Sequence, residues 1–263
     1  MDLDLDGNAA LTIASSSGLG KASARELARE DAHVVVNGRD RERLDATVEE
    51  LSALGGGDVV GVPGDITDPE TIAELVETTV SEFGGIDHVV TSAGGPPYGG
   101  FGEQSDEDWH DAFEMLVMSV VRLLRRAEDA LRADGGGTVV NITSLTVKEA
   151  VDELVLSNSV RMSVVGLEKT LSREFAPEVR VNAVLPGYYE TERLQAGVQH
   201  DVEQGEYESY DEATAAMAAD VPLDRIAQPG ELGTLVAFLS SERASYVTGA
   251  AIPADGGVTR SNL

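Results

Sequence analysis

The chain has 263 residues, no cysteine, 19 basic and 47 acidic side chains, and a formal net charge of −28. These numbers exclude a disulfide scaffold, Cys-ligated zinc and thiol catalysis, and they make nucleic acid or an anionic membrane a poor partner. The four His, at 33, 88, 110 and 200, share no ligand spacing, so no metal site is expected. No run of about 18 apolar residues occurs. The acidic start Met1-Asp2-Leu3-Asp4-Leu5-Asp6 lacks a basic n-region and an apolar h-region, which points to a cytoplasmic protein without a secretory signal.

Short β-rich runs alternate with helical periods along the chain. Ala9 to Ala14 reads as a strand, followed by the turn Ser15-Ser16-Ser17-Gly18-Leu19-Gly20 and a helix to about Glu30. Val34-Val35-Val36 is a buried strand, and Leu44, Val48, Leu51 and Leu54 mark one face of the next helix. Val59 to Val62 is a strand, Ile72, Leu75, Val76, Val80 and Phe83 mark a helix, and Ile86 to Thr91 is a strand. One long helix is expected from Asp106 to about Ala133, apolar nearly all round between Met115 and Leu124 and so buried on several sides. Thr138 to Thr143 is a strand, Val155 to about Phe175 a helix, and Val179 to Leu185 a strand. An acidic, helix-prone stretch runs to Asp220, then a helix over about Gly230 to Ser240 and a strand over Ala250 to Pro253.

This alternation predicts an α/β fold: a doubly wound parallel sheet of Rossmann type with helices on both faces. Its ligand crevice lies at the carboxyl ends of the strands. No linker, repeat or low-complexity segment interrupts residues 1–263, so one domain is expected. The sequon Asn141-Ile142-Thr143 falls inside a buried strand and reads as structural.

The turn after the first strand, Ala14-x-x-x-Gly18-x-Gly20, suits close approach of backbone to a pyrophosphate, with free N–H groups at the following helix terminus. With that turn the chain resembles the short-chain dehydrogenase/reductase family, and the resemblance runs from end to end. The family's Thr-Gly-x-x-x-Gly-x-Gly is here Ile13-Ala14 with Gly18, Leu19 and Gly20 matching. Its adenine-flanking Asp matches Asp65, followed by Ile66, and its Asn-Asn-Ala-Gly is Thr91-Ser92-Ala93-Gly94. Its Pro-Gly and downstream Thr match Pro186-Gly187 and Thr191, and Tyr246-Val247-Thr248-Gly249 through Asp255-Gly256-Gly257 matches its C-terminus. The nearest likeness is to the 3-oxoacyl-acyl-carrier-protein reductases. The resemblance implies a dinucleotide held by Ala14, Ser16, Ser17, Gly18, Leu19, Gly20, Arg39, Asp65, Ile66, Ala93, Gly94, Arg161, Pro186, Gly187 and Thr191.

After the second strand, the family's NAD enzymes place an acid on the ribose hydroxyls. Here Gly38 and Arg39 stand there, and a guanidinium suits a 2′-phosphate, so NADP(H) is expected, with NAD as the alternative. Arg39 also has the option of pairing with Asp40 as a solvated loop residue. Lys21, just past the glycine turn, is either near the phosphates or on the surface.

The resemblance breaks in the catalytic half. The family's tetrad is Asn, Ser, Tyr and Lys. Ser144 occupies the Ser position, but the Tyr position is Ser157, the Lys position is Arg161 and the Asn position is Leu116. An aliphatic hydroxyl is a far poorer acid than a phenol with a reference pKa near ~10, and Arg does not shuttle protons. General acid catalysis supplies ~10²–10⁴-fold. A substitute donor is therefore sought among Tyr188, Tyr189 and Lys148, each with a plain alternative: pocket wall for the tyrosines, solvated loop for the lysine. Ser144 in turn either orients substrate or caps the strand end.

Three functions follow: an NADP(H)-dependent carbonyl reductase or alcohol dehydrogenase with rearranged acid–base groups, a dinucleotide-binding pseudoenzyme, or an oligomerisation or scaffold role on the same fold. The partners expected are a small carbonyl or alcohol and further copies of this chain, as a homodimer or homotetramer, with the Met115–Leu124 helix against the partner. Residues 190–220, which in the family cover the substrate, hold nine acids and one base, Arg193. Lys occurs only at 21, 148 and 169, and the acids are spread over every helix. That surface resembles those of salt-accumulating halophiles, whose multimolar KCl screens self-repulsion.

Overall fold

A computed structural model describes residues 2–133 and 135–262; Met1, Asp134 and Leu263 lie outside the described residues. Strands β1 (Ala9–Thr12), β2 (His33–Gly38), β3 (Val59–Pro63), β4 (His88–Thr91), β5 (Gly137–Ile142), β6 (Val179–Pro186) and β7 (Ala251–Ala254) form one parallel sheet in the order β3-β2-β1-β4-β5-β6-β7. β1 sits centrally, with Leu11 opposite Val35 on one side and Val89 on the other. The chain moves outward from β1 to β3, then returns to the other side at β4. That reversal opens a crevice between the carboxyl ends of β1 and β4.

The side-chain period of two divides each strand between two cores. Ala10, Val34, Val36, Val90, Val140 and Val184 face α1 (Gly18–Arg29) and α9 (Pro229–Ser240), where Leu27, Leu232 and Val236 are buried. Leu11, Val35, Val89, Val139 and Val181 face α3 (Pro69–Phe83) and α5 (Ser119–Arg132), packing on Leu75, Leu123 and Leu131. Burial on both faces is why the strands read as continuous apolar runs rather than alternating ones. Asp40 caps α2 (Arg41–Ser52) by accepting from the Arg43 amide, and Asp68 caps α3 ahead of Pro69. Among the described residues no helix is long and apolar enough to cross a membrane.

One expectation needs correction. The single helix over 106–133 is three pieces: α4 (Asp106–Phe113), a π turn at Glu114–Met118, and α5. The Ser119 hydroxyl donates to the Met115 carbonyl at 2.6 Å, giving a partner to a group in the widened turn. An apolar pattern that covers the helix nearly all round gives no sequence sign of such an insertion. Residues 190–220 resolve into α7 (Glu192–Glu203), capped by Thr191, and α8 (Tyr210–Asp220), capped by Ser209. Asn141 of the sequon is buried in β5, where its side-chain oxygen accepts from the Thr91 hydroxyl at 2.7 Å.

Glu168, on α6 (Val155–Glu174), is only 1% exposed, and its Oε1 has no hydrogen-bond partner. Burial pushes its carboxyl up to about 7, against the weaker pull of Lys169. An acid whose folded value is raised contributes most below its unfolded value, and that contribution is lost as pH rises through the folded one. Glu168→Gln should therefore leave the melting temperature unchanged near pH ~4.5 and raise it above pH ~7, measured as paired thermal melts at fixed KCl. Equal shifts at both ends of that range would disprove the assignment.

Candidate active site

The crevice is a cleft of about 1500 Å³. Its floor is the turn between β1 and α1. Gly18 has φ +57°, a left-handed conformation, and opens the helix with its first amides free. A Cβ on Gly20 would stand 2.5 Å from the Ala14 carbonyl oxygen, so that position accepts only glycine. Ala14 itself lies at φ +47°. It is held there by Asn37, whose side-chain oxygen accepts from the Ala14 amide at 3.1 Å while its Nδ2 donates to the Val62 and Gly64 carbonyls. Ser15 joins in, donating to the Thr12 carbonyl and accepting from the Asn37 amide. Sequence reasoning missed Asn37. Its one signal was a polar side chain at the end of an otherwise buried valine strand.

Ser16, Ser17, Gly18 and Leu19 all line the cleft, with Arg39, Asp65, Ile66, Ala93 and Gly94 along one wall. A Cβ at Gly38 would run into the Ser16 side chain, which leaves no room there for an acid. Asp40, the alternative partner of Arg39, is engaged in capping α2. Arg39 instead reaches Asp65 at 3.5 Å with its side chain 80% exposed, so the guanidinium remains open to a ligand. Burial opposes ionisation of Asp65, yet hydrogen bonds from Thr67 and the charge of Arg39 hold its carboxyl below the ordinary value. Pro186, Gly187 and Thr191 form the facing wall, and Thr191 Cγ2 lies 3.9 Å from where a Gly18 Cβ would stand. Lys21 does not line the cleft; it pairs with Glu50 at 2.8 Å.

The catalytic half is built around Arg161. The side chain is 8% exposed, and it donates from Nε to Ser157 Oγ at 3.0 Å, from Nη1 to the Thr143 carbonyl at 3.1 Å and from Nη2 to the Gly94 carbonyl at 3.3 Å. Burial, with the nearby charge of Arg193, lowers its pKa to about 10, so it stays cationic at neutral pH. Ser157 Oγ also lies 3.4 Å from Thr146 Oγ1, and Ser144 Oγ accepts from the Thr146 amide at 3.2 Å. Ser144 therefore caps the short turn Leu145–Val147 and lines the cleft at once. Leu116, in the π turn, packs in an apolar cluster with Leu156 and Val160.

The three substitute donors separate. Tyr189 is 6% exposed and its hydroxyl donates to the Ala254 carbonyl at 3.0 Å; burial, with Glu231 and Asp255, pushes its phenol up to about 12. Lys148 ends the Leu145–Val147 turn and does not line the cleft. Tyr188 lines it, half-buried, and burial together with Asp220, Tyr207 and Glu149 raises its phenol, which keeps it protonated.

A family model described as enoyl-(acyl carrier protein) reductase matches residues 13–259. An uncharacterised oxidoreductase of Bacillus subtilis is 32% identical, covering 99% of this chain and all of the relative. A 3-oxoacyl-[acyl-carrier-protein] reductase of Vibrio cholerae is 30% identical over 97% of this chain and 99% of its own. The chain belongs to the short-chain dehydrogenase/reductase family. Among solved members of the family, L-sorbose reductase of Gluconobacter frateurii, complexed with NADPH and L-sorbose, superposes with a TM-score of 0.94 at 32% identity, covering 99% of this chain and 100% of that one.

Against the short-chain dehydrogenase/reductase glycine motif, Ala14 is the departure the backbone resists. A non-glycine residue in the left-handed region costs ~1–2 kcal/mol, offset by ~0.4–1 kcal/mol of extra unfolded-chain entropy that glycine would bring. Ala14→Gly is expected to stabilise the fold by up to ~1 kcal/mol in chemical unfolding. A clear loss of stability would show that the Ala14 methyl has a packing role that outweighs its strain.

Proposed function

We propose that this chain is a cytoplasmic, single-domain, NADP(H)-dependent oxidoreductase acting on a small carbonyl or alcohol. The observation that supports this most is the continuity of one cleft from the Gly18 turn, past Arg39, to Ser144, Ser157, Arg161 and Tyr188. The cradle fits a dinucleotide: glycines where backbone must come close, helix amides for a pyrophosphate, and an exposed guanidinium with no acid at position 38 for a 2′-phosphate. Pro186, Gly187, Thr191, Ala93, Gly94 and Arg161 would hold its other end. NADP(H), when bound, supplies or accepts the hydride.

The protein's own residues then divide the remaining work. Ser144 and Ser157 orient the carbonyl oxygen, and the fixed charge of Arg161 behind Ser157 stabilises negative charge developing there. Tyr188 delivers the proton: of the other phenols that line the cleft, Tyr189 donates to the Ala254 carbonyl and Tyr98 carries the Arg193 guanidinium on its ring. Residues 190–220 act as the substrate cover. A second reading, a dinucleotide-binding protein without turnover, is favoured by one observation: each nitrogen of Arg161 is already engaged within the fold.

Titration with NADPH and NADH should show tighter NADPH binding, and Arg39→Ala should remove most of a ~10–150-fold preference, the value of a charge-assisted contact. With a carbonyl panel, Tyr188→Phe should lower kcat by ~10²-fold while NADPH affinity holds. NADPH binding without reduction of any carbonyl would transfer the assignment to the second reading.

The chain is further proposed to assemble as a dimer or tetramer that requires salt. Met115, Met118 and Val121 remain only partly buried around the π turn, and Phe113 and Met162 on the adjoining helices are 43% and 51% exposed. The melting temperature should climb with KCl as the −28 charges are screened. Light scattering in multimolar KCl should give a mass above that of one chain. A salt-independent melt or a sharp monomer would each overturn the corresponding half.

A further inference from the structure

The cleft contains a pair of cations for which the protein provides no counter-charge. Arg161 is more than nine-tenths buried, and its three hydrogen bonds go to a hydroxyl and two carbonyls. Arg193, on α7, donates from Nη2 to the Pro96 carbonyl at 2.7 Å, and its guanidinium lies 4.0 Å over the Tyr98 ring. Among the described residues neither arginine forms an ion pair, although acids outnumber bases 47 to 19 in this chain. Both grip the same short loop, one at Gly94 and the other at Pro96, and each is close enough that the charge of Arg193 lowers the pKa of Arg161. A Cβ on Gly95, between them, would meet the Arg193 guanidinium at 2.5 Å.

Arg161 is buried and Arg193 lines the cleft as an exposed residue, and an anion held between them would relieve the repulsion of the two like charges. Each guanidinium has five N–H groups. These hydrogen bonds use three of those of Arg161 and one of those of Arg193, which leaves donors on both. The stack on Tyr98 occupies the face of Arg193, so a carboxylate would be met by the remaining N–H groups along its edge. The lining also carries acids, Asp111, Glu114, Asp152, Glu153, Asp201 and Glu206 among them. A long polyanionic carrier would be repelled there, whereas one small anionic group fits between Arg161 and Arg193.

Building on the reductase reading, we propose that the substrate is a small oxo acid or its hydroxy acid, its carboxylate held by Arg193 and its reacting oxygen placed at Ser144 and Ser157 before Arg161. Arg193 is thus the residue that sets the substrate class.

The test is isothermal titration of cofactor-free and NADP+-loaded protein, at fixed KCl, with 2-oxobutanoate, acetoacetate and levulinate, each against its methyl ester. At least one acid should bind tenfold or more tighter than its ester. Arg193→Gln should bring the two within about twofold, and Arg193→Lys, which keeps the charge without the stack, should retain part of the preference. NADP+ affinity, read in the same titrations, should not change in Arg193→Gln. Esters that bind as tightly as all three acids would overturn the proposal. So would an unchanged acid preference in Arg193→Gln accompanied by weaker NADP+ binding, which would assign Arg193 to the cofactor phosphates. Failure of NADP+ to bind would count against the reductase reading alone, because the acid–ester comparison is also made without cofactor.

Discussion

A single buried guanidinium organises the catalytic end of this molecule. Arg161 leaves α6 and reaches two loops at once, one after β5 through Thr143 and one after β4 through Gly94, while its own helix supplies Ser157 one turn back. A charge this enclosed is tolerated only when its donors are engaged and directed. The planar fork of arginine engages three acceptors in fixed directions, where the point charge of a lysine would not. Ser157 and Arg161 are therefore one unit at i and i+4. The serine is short enough to accept from Nε, and the arginine holds the serine oxygen toward the cleft.

That unit also explains why the π turn survives next to an apolar side chain. Leu116 points into the contact between the π turn and α6, against Leu156 and Val160, so the widening is stabilised by packing, with the Ser119 hydroxyl closing on the Met115 carbonyl. Polar chemistry has been moved from the helix to the loop ends. The same shift is visible in the charge distribution. The exterior is strongly acidic and several surface arginines are neutralised by neighbours, as in Arg43–Glu192 at 2.6 Å and Arg225–Glu231 at 2.6 Å, whereas the buried Arg161 makes its hydrogen bonds to a hydroxyl and two carbonyls.

The sheet was legible because its strands are buried on both faces and because each helix after it has a clear apolar stripe: Leu44, Leu51, Ile72 and Leu75 all fall in the core as their spacing requires. The glycine turn was legible because only glycine fits where backbone comes within contact of backbone, as at Gly20. What stayed hidden depends on the direction of side chains at loop ends. Tyr188 and Tyr189 are neighbours in sequence with the same chemistry and both line the cleft, yet the hydroxyl of Tyr189 is tied to the Ala254 carbonyl of β7. Lys148 is four residues past Ser144, but the turn between them carries it off the cleft wall. Asn37 and the buried Glu168 were equally silent, since their roles are set by strands and helices far away in sequence.

The two halves of the cleft differ in what they ask of a side chain. The dinucleotide half works through backbone: a left-handed glycine, free helix amides and a missing Cβ, with Asn37 and Ser15 fastening the turn from below. Such a site keeps its shape when surrounding side chains are exchanged, and even Ala14 is accommodated at positive φ. The catalytic half works through proton affinity, which a single exchange alters by many orders of magnitude. Arg161, whose pKa burial lowers only to about 10, stays protonated at neutral pH. It acts as a fixed charge, and the proton must then move through a different group from the one that carries the field. Separating those two roles is the chemical consequence of placing Ser157 and Arg161 here, and under the proposed reductase reading the proton falls to Tyr188.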